Sequence, residues 1–331
     1  MKKIITLSML FMATVLFAQE EETKKVSISG SVDAYYQTNL TTSDNLGESF
    51  GTSFADQTGF ALGMANIIAS YEGEVTGVVA DLAFGTRGLQ AVGGGSDVFI
   101  NQLYAYWNVS EGTTLTMGRF NTFLGYEVIS PTGNYNYSTS YLFSSGPFSH
   151  VGLKADFALS EDFSLMLAVM NATDVNNNTT GDYSLGAQLG YAGQYLNFYY
   201  DSGIVLGFEV DYTGGFDLSD SFFLGINAAY ADNDGAGFYG AALYPQIATS
   251  DNFTIGLRGE YFSEVGDNGM FAASEDDSVF ATTLTGSYTI ENLTIKPELR
   301  LDSNSEEVYI DSDLAGTKSL AAFTLAAIYS F

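Results

Sequence analysis

From Val26 to Phe331 the chain restarts one pattern: roughly ten residues that alternate apolar with small or polar, then a connector rich in Gly, Asn, Asp or Ser. Four runs show it well: Val151, Leu153, Ala155, Phe157, Leu159; Phe163, Leu165, Leu167, Val169; Ile204, Leu206, Phe208, Val210, Tyr212; and Phe222, Leu224, Ile226, Ala228, Tyr230. Between them stand Gly152, Lys154, Asp156, Ser164, Glu209, Asp211, Gly225 and Asn227. A period of two is a β-strand with one apolar and one wet face. Repeated along a whole chain, it builds either a soluble sandwich or a membrane barrel. What the apolar face touches decides which.

The N-terminus favours the membrane. Met1-Lys2-Lys3, an apolar run from Ile4 to Phe17, and Ala18-Gln19-Glu20 read as a secretory signal peptide over 1–18, leaving 19–331 as one domain. The apolar run is too short for a membrane helix, and no later run reaches the required length of about 18 residues. There is no cysteine, which excludes a disulfide scaffold and a thiolate metal site. The net charge is −28, and loss of Lys2 and Lys3 leaves 9 of 11 basic residues against at most 39 acidic ones. Nucleic acid is thereby excluded as a partner, because its phosphates are bound through Lys and Arg. The acids gather in connectors, where they solvate loops.

About sixteen strands are expected, within a range of roughly fourteen to eighteen. They start near Val26, Phe60, Val75, Val98, Thr113, Val151, Phe163, Tyr183, Gln194, Ile204, Phe222, Gly237, Phe253, Val279, Leu293 and Leu320. Their connectors sort by length. Tight ones such as Glu72-Gly73-Glu74, Ser110-Glu111-Gly112 and Glu291-Asn292 alternate with longer ones at 38–59, 85–97, 121–148, 172–181, 264–278 and 303–318. Short turns on one rim and long loops on the other are the layout of an up-and-down outer-membrane barrel. The apolar phase is nearly free of charge. Lys154, Asp156, Glu209, Asp211, Arg258, Glu260, Lys296, Glu298, Arg300 and Asp302 all fall on the other phase, with Gly152, Gly186, Gly190, Gly225 and Gly256, which would leave a lumen open. Aromatics near strand ends, such as Tyr71, Trp107, Phe163 and Tyr288, suit interfacial girdles. Pro245 and Pro297 predict bulges or shifted strand boundaries, since proline removes a ladder donor.

One stretch breaks the alternation. It reads Gly118-Arg119-Phe120-Asn121-Thr122, Gly125-Tyr126-Glu127, Asn134-Tyr135-Asn136-Tyr137-Ser138, Ser140-Tyr141, Pro147-Phe148 and His150-Val151-Gly152. In this order the pieces resemble the OmpL-like β-barrel porin family of Gram-negative bacteria, Bacteroidota-like members above all. Thr139 departs from the arginine expected between the two serines. The resemblance implies a porin-type channel in the outer membrane. The C-terminal strand ending in Phe331 is similar to the ending that the barrel-assembly machinery reads.

A loop of 28 residues, 121–148, carrying Tyr126, Tyr135, Tyr137, Tyr141, Phe143 and Phe148 can fold into the lumen and narrow it. Constriction candidates are therefore Arg119, Tyr126, Glu127, Tyr135 and Tyr137, with the wall charges Lys154, Asp156, Glu209, Asp211, Arg258, Glu260, Lys296, Glu298 and Arg300. Opposed across a pore, these charges would set a transverse field, and the acidic excess predicts mild cation selectivity. His150 is the only histidine, at a strand start, and suits a structural hydrogen bond better than a hydrolytic triad. Asp232-Asn233-Asp234-Gly235 lacks the spaced acids of a calcium loop. The expectation is a non-enzymatic, cofactor-free passive channel for small hydrophilic solutes. Its partners would be lipid, lipopolysaccharide and, in a homo-trimer, its own copies. The rival readings are a channel preferring sugars or amino acids, and a closed barrel with adhesive or structural loops.

Overall fold

The computed structural model describes residues 26–42, 44, 47–92, 99–266, 269–271 and 276–331. The expected signal segment 1–18 and the expected strand start at Val98 lie outside them. The elements are β1 (Val26–Asn39), β2 (Gly59–Glu72), β3 (Thr76–Phe84), α1 (Gly85–Ala91), β4 (Ile100–Ser110), β5 (Thr113–Asn121), α2 (Tyr141–Ser145), β6 (Ser149–Ala158), β7 (Phe163–Met170), β8 (Ser184–Tyr191), β9 (Gln194–Tyr200), β10 (Phe208–Ser219), β11 (Phe222–Asn233), β12 (Ala236–Ser250), β13 (Phe253–Val265), β14 (Ser278–Ile290), β15 (Leu293–Asn304), β16 (Tyr309–Ile310), β17 (Gly316–Thr317) and β18 (Ser319–Ser330). β1–β15 and β18 form one closed barrel of sixteen antiparallel strands, each paired with its neighbours in sequence. β16 and β17 make a small hairpin inside the last long loop.

Closure is made by β1 and β18, in register from Ser31 with Ser330 to Asn39 with Ala322. Gly30 and Phe331 exchange both backbone hydrogen bonds at 3.0 Å, so no edge is left there. Tight turns join β2 to β3, β4 to β5 and each later pair on that rim, and both ends of the barrel chain fall on it. The opposite rim carries the long loops. The connection from β11 to β12, Asp234-Gly235, is its short exception, a tight turn in which Asp232 accepts from the Gly235 N–H.

Alternation sets the two faces. On β18, Phe323, Leu325, Ala327 and Tyr329 point outward, while Leu320, Ala322, Thr324, Ala326 and Ile328 are buried inside. On β13, Ile255, Leu257 and Tyr261 face out and Arg258 and Glu260 face in. Among the described residues no helix is long and apolar enough to cross a membrane. Aromatic pairs link neighbouring strands on the outer face, Phe163 with Tyr191 at 4.6 Å and Phe253 with Tyr288 at 6.4 Å.

Two local expectations fail. Neither proline makes a bulge. β12 keeps one register with β13 on either side of Pro245, from Leu243↔Gly259 to Gln246↔Gly256, and β15 does the same around Pro297. The missing donor interrupts pairing to one neighbour, while the other ladder runs through at Leu224↔Pro245 and Pro297↔Leu325. Register shifts occur elsewhere, as between Val32 and Ala34 on β1. The second failure is the strand expected from Ile204. β10 starts at Phe208, because the Asp201 carboxylate accepts the N–H groups of Gly203, Ile204, Val205, Leu206 and Gly207 and curls them into a loop. An alternating apolar run does not form a strand when one buried acid takes its donors.

Leu284 sits at the middle of β14 on the outer face, 45% exposed. Leu284→Arg is expected to lose roughly 2–4 kcal/mol of stability relative to Leu284→Ala. Unfolding in lipid vesicles measures the difference; equal stability of the two variants would remove Leu284 from the lipid face.

Candidate functional site

The lumen is built around the loop 122–148, which crosses it. The loop follows β5, within which Gly118, with φ of +137° and a close approach to Leu103 and Tyr104, leaves no room for a Cβ. It then lies along the inner faces of β10–β15 and reaches β1. Its aromatic side chains sit on inward glycines. A Cβ on Gly186 would overlap Phe123, one on Gly225 would overlap the Tyr126 hydroxyl, and one on Gly256 would overlap the Tyr135 ring. The glycine stripe therefore does not hold the lumen open. It forms sockets that the loop fills. Tyr126 also stacks on Tyr244 of β12, centroids 4.3 Å apart.

The wall charges bind loop backbone. Glu298 accepts the N–H groups of Tyr137 (2.7 Å) and Ser138 (3.0 Å). Glu260 accepts those of Tyr141 (3.0 Å) and Leu142 (2.8 Å). Glu127, itself in the loop, accepts Ser140 N at 2.7 Å and pairs with Arg258 at 2.7 Å. Arg258 donates to the Ser138 and Thr139 carbonyls. Arg300 donates to Thr139 O at 2.9 Å and makes a two-bond fork with Asp302 at 2.9 and 2.8 Å. Lys296 donates to the Asn134 and Pro131 carbonyls. The irregular strip 134–142 thus meets its backbone needs against β13 and β15, as buried backbone must.

Tyrosine hydroxyls extend the clamp. Tyr137 donates to Asp33 of β1, and Tyr141 to Asp302 at 2.8 Å. Tyr135 donates to Thr285 O at 3.2 Å. Burial raises the pKa of all three, and that of Tyr126 to about 12, so these loop hydroxyls stay protonated.

Other long loops close over this one. Phe54 and Ala55 of the β1–β2 loop are buried at φ +67° and +46°, a conformation rare for side chains of this kind. Phe54 packs on Phe143 and Phe148, centroids 5.8 and 5.6 Å away, and Phe50 lies 4.2 Å under the Arg300 guanidinium. α1 brings in Arg87, whose Nε donates to Ile129 O at 2.9 Å.

The expected transverse field is not what the wall builds. Arg258, Glu260, Lys296, Glu298 and Arg300 stand on β13 and β15, either side of β14 in one wall, buried beneath the loop rather than facing each other across the lumen. Lys154 and Asp156 on β6 pair with each other at 2.7 Å, away from the loop. Arg119 lies under α1, donating to Asn101 O and Ala91 O. On β10, Asp211 accepts from Gly125 N of the loop at 3.0 Å, with Glu209 two residues back on the same inner face. His150 is buried against Phe120, Phe123 and Tyr199, with Nε2 3.0 Å from the Thr122 hydroxyl.

Sequence reasoning passed over Arg87, Asp33 and the apolar cap from Phe50 and Phe54. For Arg87 a signal existed. Only seven Lys or Arg follow Val26, and five of them are buried in the lumen.

Two spaces flank the loop. On the tight-turn side lies a vestibule of about 640 Å³, lined by Tyr126, Asn134, Tyr135, Phe223, Gln246, Ser287, Thr289 and Thr294 among others. On the long-loop side the crevice beside Leu124, Gly125, Leu142, Glu209, Asp211 and Asn227 holds only about 10 Å³. Along β11 the inner residues run from Phe223 in the vestibule, past Gly225 under Tyr126, to Asn227 in the crevice.

The profile of the family described as "Putative beta-barrel porin-2, OmpL-like" matches residues 25–331. The chain belongs to this OmpL-like porin family. It is accordingly an outer-membrane diffusion channel. Solved outer-membrane proteins share its fold at low identity. The anion-selective porin from Comamonas acidovorans superposes with a TM-score of 0.61 at 10% identity, over 93% of this chain and 100% of that one. Salmonella typhi OmpF, in complex with daunomycin, gives 0.61 at 11% identity, over 93% and 98%. OmpT of Vibrio cholerae in its trimer form gives 0.55 at 11% identity, over 93% and 99%. No curated protein matches this porin in sequence.

If the glycine sockets seat the loop, Gly225→Val should unseat Tyr126 and Gly256→Val should unseat Tyr135. Each variant is expected to make the loop of the folded barrel a faster target for protease, checked by limited proteolysis in detergent. Cleavage at the wild-type rate in both would show that the sockets do not hold it.

Proposed function

We propose that this porin is a narrow, loop-constricted channel that passes small hydrophilic solutes passively and favours cations mildly. The observation that carries the reading is the loop seated across the lumen, with Tyr126 on Gly225 and Tyr135 on Gly256 narrowing it beyond a vestibule of about 640 Å³. A path reduced that far admits small solutes and excludes large ones. The charge inside supports the sign. Asp33, Asp81, Glu127, Glu209, Asp211, Glu260, Glu298 and Asp302 are buried in the lumen against Arg87, Arg119, Arg258, Lys296 and Arg300. Fixed negative charge near a constriction raises local cation concentration.

The protein works without catalysis or cofactor. It is exported by a cleaved signal over 1–18 and assembled through the strand that ends in Phe331. It rests among outer-membrane lipid and lipopolysaccharide as a homo-trimer, a reading supported by the trimer form of an outer-membrane protein of like fold.

A solute-preferring channel is the second reading. Tyr126, Tyr135 and Phe223 share the vestibule with Gln246, Ser287, Thr289 and Thr294, apolar ring faces beside hydrogen-bonding groups, as sugars and amino acids require. Block of conductance by one solute class would favour it.

Two measurements in planar bilayers test the main reading. Under a salt gradient the reversal potential should show cation preference, and clear anion preference would overturn that sign. Deleting 128–143 should raise single-channel conductance several-fold. Unchanged conductance would place the constriction elsewhere.

A further inference from the structure

We propose that Glu209 and Asp211 hold a hard divalent cation of the calcium kind in the lumen, beside the first turn of the inserted loop. The two acids are alternate residues of β10, both inward, so their Cα atoms lie roughly 7 Å apart and their carboxylates can converge on one ion. Asp211 is held in place. Its Oδ1 accepts from Asn197 Nδ2 (2.5 Å) and Gly125 N (3.0 Å), and its Oδ2 from Asn227 Nδ2 (2.6 Å). All of these donors are neutral, so the charge is oriented and not balanced.

Glu209 is the independent observation. It is 2% exposed, its Oε2 is buried without a hydrogen-bond partner, and it lines the crevice shared with Asp211 and Asn227. Every other lumen carboxylate that touches the loop has donors on it. An ionised carboxylate buried this way is strongly disfavoured unless something meets its charge. The crevice holds about 10 Å³, close to the room of one water or one ion.

Two carboxylates against one divalent ion reach neutrality, and oxygen ligands suit a hard cation. Among the described residues no group of three or more acids or histidines converges here, so the two carboxylates are the charged ligands. That arrangement implies loose binding, of the order of 10⁻⁴–10⁻³ M as in extracellular calcium modules. The ion would also tie the wall to the loop, because Asp211 already holds Gly125, one residue before the Tyr126 that sits on Gly225.

The experiment is equilibrium dialysis of the refolded, chelator-stripped full barrel against calcium chloride. The wild type is compared with Glu209→Gln and, independently, Asp211→Asn. Folding of each is checked by circular dichroism and by the heat-dependent gel mobility of barrels. Weak binding to rim acids is common to all three proteins and subtracts out. The expected result is one Ca²⁺ per chain more on the wild type than on either variant. Equal binding by all three overturns the proposal. So does a Glu209→Gln barrel that is more heat-stable than wild type with unchanged calcium binding, since the buried carboxyl would then carry a proton and not an ion.

Discussion

The interior depends on one kind of contact: wall carboxylates accepting backbone N–H groups from the crossing loop. Glu298, Glu260 and the loop's own Glu127 together take the donors of residues 137, 138, 140, 141 and 142. An irregular strip cannot satisfy itself as a strand or helix does, and without these acceptors its donors would be buried unpaired. Arg258 and Arg300 complete the exchange by holding carbonyls 138 and 139 and neutralising the acids beside them. Removing any member leaves a buried partner uncompensated, so the set acts as a unit.

That contact gives the charges of β13 and β15 a different meaning from the one their phase suggests. A charge on the wet face of a barrel strand is free to face water, and here it faces peptide. Buried ion pairs are poor sources of net stability but good at fixing one geometry. Arg258 donates to four residues at once, Glu127, Ser138, Thr139 and Thr283, three of them in the loop, which fixes the loop's position against β13. The glycines do the complementary steric work. Gly225 and Gly256 admit Tyr126 and Tyr135 to the wall, and Phe54, Phe143 and Phe148 cap the result from the long-loop rim. Polar anchoring and apolar capping together keep a long loop in place inside a channel. The open volume is left on the tight-turn side.

The barrel itself was legible in the chain. A period of two needs no tertiary information, because adjacent residues of any strand face opposite ways, and the charge-free phase could only be the lipid side. Sorted connectors then supplied the rims and the parity. The failures were local and had one cause, which is that hydrogen-bond partners far away in sequence are invisible in it. Asp201 gathered five donors that looked like the start of a strand, and the ladders beside Pro245 and Pro297 simply skipped pairs where a bulge looked necessary.

What the sequence by itself determined is which residues face lipid, which face inward, and which loop is long enough to enter the lumen. Only the tertiary structure decided what the inward residues do. Closing the ring at β1 and β18 brings Asp33 to Tyr137, 104 residues away, and Glu298 to the same tyrosine's N–H, 161 residues away. Alternation specifies direction from a strand, a local property of the backbone. Partnership across a lumen depends on where the strands lie around the ring, and that exists only once the ring has closed.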